Sequence, residues 1–172
     1  IEDTHQFMKE SALRAQSIQA LIVKTSVIQN NNIEMVEGAA GQDTVFFQEL
    51  ILHCNNAIAV ETFVHMYYAA VSGSVTNTIG KKFFDKYYKL EIERIPFLQK
   101  HDLLQTYLDE RFNFYIKGWY LSRLDRIKPE ERNEAITRFL DIYSLYDSYE
   151  KIEDNDLLDQ IKLLKNEVNY KE

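Results

Sequence analysis

Cysteine and proline are nearly absent from this sequence: Cys54 is the only thiol, and Pro96 and Pro129 are the only prolines. A single cysteine excludes a disulfide framework and any cysteine-based zinc site. Cys54 follows Leu50-Ile51-Leu52-His53, the end of an apolar helical pattern, and so reads as an inert core thiol rather than a nucleophile. Glycine is also scarce, at five residues, and a chain with so few breakers is not collagen-like, low-complexity or disordered. There is no uncharged apolar run of about 18 residues, and no basic start leading into an apolar stretch, so a soluble chain in the reducing cytoplasm is expected. Positive charge is in deficit, with 20 Lys and Arg against 27 Asp and Glu and a net charge of -7, which argues against nucleic acid as the main partner.

What is present is apolar and aromatic. Hydrophobic residues make up 45% of the 172 positions and aromatics 13%, enough to bury the core of one ordinary, largely helical domain. The chain opens at Ile1 already in helical register, which reads as a piece of a longer polypeptide.

Apolar residues at Phe7, Met8, Leu13, Ile18, Leu21 and Ile22 recur at helical spacing, predicting an amphipathic helix from Glu2 to about Lys24 with Thr4 as its cap. The polar run Gln29 to Asn32 ends that order. A loop of small residues, Gly38-Ala39-Ala40-Gly41, precedes a helix expected over Asp43 to His53, in which Asp43 is either an N-cap or a chemically active carboxylate. Ala57 to Val71 is rich in β-branched and aromatic residues alternating at period two, and predicts two short strands. After Thr78 the pattern is helical throughout. One helix runs toward Leu98 with Pro96 kinking or interrupting it, and a second spans Leu103 to Leu124. A third begins at Pro129, and a fourth covers Asp154 to Val168.

Four groupings bear on chemistry. Glu49, His53, Glu61 and His65 would share one stripe if residues 45–70 were a single helix, like half of a di-iron bundle site; Asn55 and Asn56 and the β-rich composition oppose this. Asp154-Asn155-Asp156 has the form of a cation-binding Asp-x-Asp, but helix capping explains it. The aromatic residues from Tyr107 to Tyr149 fit core packing better than a sugar-stacking surface, and charged pairs such as Glu93 with Arg94 do not separate a partner surface from a solvated one.

The fourth grouping is an ordered set: Glu37-Gly38-Ala39-Ala40-Gly41-Gln42-Asp43-Thr44 opening a helix, a hydrophobic segment ending in His65-Met66-Tyr67-Tyr68, then Ser74-Val75-Thr76-Asn77. From about Gln19 to Asn77 it resembles the later part of the inverting glycosyltransferases of family 2, with Gln42 where that family more often has Glu. The resemblance implies an α/β remnant of a GT-A (Rossmann-like) domain over residues 1–78, followed by an all-helical extension over residues 79–172. It implies Asp43 as the catalytic general base, with Gly41, Gln42, His65, Tyr67 and Ser74 contacting substrate. The partners it implies are a nucleotide-sugar donor and a glycan or protein acceptor, with self-association through the helical extension. The implied cofactor is a divalent cation, Mn or Mg, held mainly by residues outside this chain, with no metal ligand assigned within it. The nucleotide-binding half would lie upstream, so the chain alone is expected to be inactive. The rival expectation is a non-catalytic helical interaction or scaffold module.

Overall fold

The computed structural model describes residues 1–64, 66, 79–152 and 154–170. Among these residues there are seven α-helices: α1 (Thr4–Glu10), α2 (Thr25–Asn31), α3 (Gln42–Leu52), α4 (Lys81–Lys100), α5 (Leu104–Glu110), α6 (Pro129–Ser144) and α7 (Asn155–Glu167). Between α5 and α6 the chain winds through a π-helix, Phe114–Tyr120, and a 3₁₀ segment, Leu121–Arg126.

The expected α/β remnant is therefore overturned: the described residues contain no strand. The period-two pattern beyond Ala57 is real, but a strand forms only when its backbone groups find a neighbouring ladder. Ala57 exchanges two backbone hydrogen bonds of 2.9 Å with Ile1, and the pairing goes no further. Ile58 (87% exposed) and Phe63 (78%) consequently face solvent. Residues 65 and 67–71 of that predicted strand pair, and the expected domain boundary near Thr78, lie outside the described residues.

The N-terminal helix is also shorter than its periodicity predicts. Asp3 rather than Thr4 caps it, accepting the Gln6 N–H at 2.8 Å. It stops at Glu10 because Ala12 and Leu13 take positive φ (50° and 56°), which turns Leu13 into the core.

The C-terminal helices follow their sequence signals. Pro129 occupies the first turn of α6, where no N–H is needed, with Glu130 and Glu131 beside it at the positive end of the helix dipole. Asp154 caps α7 by accepting the Leu157 N–H at 3.1 Å. Helix α4 packs along α6, which is flanked by α7, while α1 rests on α3. Phe84, Leu90 and Leu98 of α4 meet Ile136, Phe139 and Leu140 of α6 in one buried cluster that also takes in Met8, Phe47 and Ile51. No helix among the described residues is long and apolar enough to cross a membrane.

Candidate functional site

The loop before α3 is built by two glycines in the left-handed region, Gly38 (φ 71°) and Gly41 (φ 72°). That backbone is inexpensive only without a side chain. Gly41 also has no room for one, since a β-carbon there would lie 3.0 Å from Tyr87 Cε1 and 3.3 Å from Leu90 Cδ2. The small residues thus let the loop lie against α4, where Ala40 is buried and its N–H reaches the Lys86 carbonyl at 3.4 Å.

Gly41, not Asp43, occupies the N-cap position of α3, without a side-chain cap. Asp43 sits within the first turn, is exposed, and its carboxylate makes no hydrogen bond or ion pair with any described residue. Gln42 beside it is half-buried. Gly41, Gln42 and Asp43 are thus brought together at one helix start, pinned to α4 through the loop. His65, Tyr67 and Ser74, the remaining predicted contacts, lie outside the described residues.

The metal stripe does not assemble. Helix α3 ends at Leu52, and His53 turns back so that its Nδ1 donates to the Glu49 carbonyl at 2.8 Å. Glu61 lies beyond the helix in exposed, irregular chain. His5 Nε2 donates to the His101 carbonyl at 2.7 Å, and the His53 and His101 rings meet edge to face with centroids 6.0 Å apart. Burial, then the nearby Lys100, His53 and His5, hold His101 below its ordinary value. Among the described residues no group of three or more histidine, cysteine or carboxylate side chains is placed to hold a metal. Asp154 of the Asp-x-Asp pairs with Lys117 Nζ at 2.9 Å, and that hydrogen bond, followed by the Leu157 N–H, holds its carboxyl below the usual range.

One polar constellation was missed by sequence reasoning. Glu91 and Arg94 are both essentially fully buried on α4, and Arg94 Nη1 donates to Glu91 Oε1 at 2.8 Å. Tyr120 donates a short hydrogen bond to the same oxygen, and Tyr146 donates to Glu91 Oε2 at 2.6 Å. Tyr107 accepts from Arg94 Nη1 at 3.1 Å, and the guanidinium lies 4.6 Å from the Tyr115 ring centroid. Burial and the Glu91 charge push the Tyr107, Tyr120 and Tyr146 phenols above their ordinary values. Burial acts against the charge on Arg94, but Glu91 together with Tyr107, Tyr115 and Tyr120 outweighs it and the guanidinium stays firmly protonated. The signal was available: Glu91 and Arg94 stand three apart, within the apolar stripe Tyr87, Leu90, Ile95 and Leu98. Glu93, the sequence neighbour of Arg94, is exposed. Both charges of the buried pair are satisfied and closed off from solvent, so the pair organises the core.

No family model, curated protein or solved structure matches the chain.

Proposed function

We propose that this chain carries the acceptor side of an inverting glycosyltransferase similar to family 2, with Asp43 as its general base. The observation that carries the reading is the Asp43 carboxylate itself: exposed, unpaired among the described residues, and fixed at a helix start by a loop packed on α4. A carboxylate so held can take the proton of an acceptor hydroxyl as its oxygen attacks the anomeric carbon. The bond from that carbon to phosphate breaks, nucleoside diphosphate departs, and the new glycosidic bond has inverted configuration. Gly41 and Gln42 border the acceptor, and the ordered sequence set from Glu37 to Asn77 supplies the family resemblance. The protein acts in the cytoplasm at the membrane periphery. The described residues offer no ligand set for a divalent cation, and no step above depends on one held by this chain.

The test is release of nucleoside diphosphate and formation of an inverted glycoside by the full-length gene product from a panel of nucleotide sugars, supplied with Mn or Mg. Acceptor-dependent release from at least one donor is expected. No release and no binding of any donor would overturn the reading in favour of a helical interaction module. The fully satisfied Glu91–Arg94 core, which exposes no reactive group, favours that second reading.

A further inference from the structure

We propose that the groove between the 34–37 loop, α3 and α4 is a docking site for a polypeptide segment that presents apolar side chains flanked by lysine or arginine. The inference is independent of the transferase reading. The groove encloses about 660 Å³. Its apolar surface includes Met35 (38% exposed) and Ile92 (42% exposed), with Pro96 and Phe97 further along α4. Bulky side chains left this open to water favour any apolar partner that covers them.

Charge at the rim selects the partner. Glu34, Glu37, Glu49 and Glu93 face the groove against only Lys89 and Lys100. None of the six makes a side-chain hydrogen bond or ion pair with a described residue. On other faces several exposed charges are matched, as where Arg138 reaches Asp85 and Asp141, and Arg132 reaches Glu167. The excess of carboxylates is complementary to a basic segment. Pro96 adds a backbone feature. It has no N–H, so the carbonyl of Ile92, one turn earlier, loses its helical donor and is left as an acceptor beside the groove. From Lys89 to Lys100 the α4 wall extends about 16 Å at helical rise, room for three turns of a docked helix.

The test measures binding of two fluorescein-labelled helical peptides to the full chain at physiological salt. One has a leucine stripe with lysine at all other positions, and the other has the same stripe with glutamate. The lysine peptide is expected to bind saturably and at least about tenfold tighter than the glutamate peptide. The Glu49→Lys/Glu93→Lys variant should weaken it by at least about tenfold. The Glu110→Lys/Glu150→Lys variant, with the same change in net charge away from the groove, should stay within about twofold of the parent. Circular dichroism and thermal unfolding establish that both variants are folded. Equal weakening by the two variants, equal binding of the two peptides, or no saturable binding would overturn the proposal. So would a concentration-dependent dimer that Glu49→Lys/Glu93→Lys dissolves, which would make a second copy the occupant.

Discussion

Burying Glu91 and Arg94 strips the hydration from two charges, and the contacts that offset this come from three other stretches of chain: Tyr107 of α5, Tyr115 and Tyr120 of the π-helix, and Tyr146 just beyond α6. Each phenol is useful only while its partner is present. Arg94→Met leaves the Glu91 carboxylate buried without its counter-charge and should destabilise the fold by about 3–5 kcal/mol, read from urea unfolding. A loss below about 1 kcal/mol would mean that the pair is dispensable. The same residues set the response to alkali. In the folded chain Tyr107, Tyr120 and Tyr146 hold their protons above the ordinary phenol value of 10.0. Above that pH the unfolded chain has released protons that the folded chain keeps, so their contribution is intact below pH 10 and is lost as pH rises through the folded values. Each phenol in that window should lower stability by about 1.4 kcal/mol per pH unit, and tyrosinate absorbance should appear together with unfolding. Gradual tyrosinate formation in a folded chain would contradict it.

At the scale of elements, the π-helix and Pro96 are where periodic reasoning fell short. Phe112, Ile116 and Tyr120 are all buried at a spacing of four, which a regular α-helix rotates by about 40° at each step. Four residues overrun one α turn and fall short of one wider π turn, so this spacing suits either winding, whereas Leu124 and Ile127, spaced by three and also buried, suit the 3₁₀ turn that follows. The sequence predicts one helix from Leu103 to Leu124 because hydrophobic recurrence does not distinguish these windings. Pro96 was expected to kink or interrupt α4; the helix is not interrupted and continues to Lys100, with Ile95 and Leu98 buried on either side of the proline. Packing therefore outweighs a backbone penalty of about 3 kcal/mol. Pro96→Ala restores the donor to the Ile92 carbonyl and should raise the unfolding free energy by about 1–3 kcal/mol, measured by denaturant titration. An unchanged or lower value would mean that the proline stiffens the unfolded chain by as much as it strains the helix.

For the molecule as a whole, what was legible is what local chemistry decides. Pro129 and Asp154 marked the starts of α6 and α7, and the aromatic stripe of α4 is buried as its spacing predicts, whereas α2 was not foreseen and takes in Gln29 to Asn31 of the polar run. What was not legible depends on partners distant in sequence. Ala57 onward has strand composition without a neighbouring strand, and Leu13 leaves a helical pattern because its carbonyl is taken by Gln48 Nε2 at 2.8 Å, 35 residues away. The candidate site was read only in part: Gly41, Gln42 and Asp43 adjoin at the start of α3, but the tight loop is accounted for by its packing on α4. The transferase reading therefore turns on one carboxylate, and transfer by Asp43→Asn in the full-length gene product tests it most directly. The account predicts a loss in kcat of about 10²–10⁴-fold with donor affinity and thermal unfolding unchanged. Transfer at the parent rate would contradict it and leave Asp43 as an ordinary first-turn carboxylate of α3.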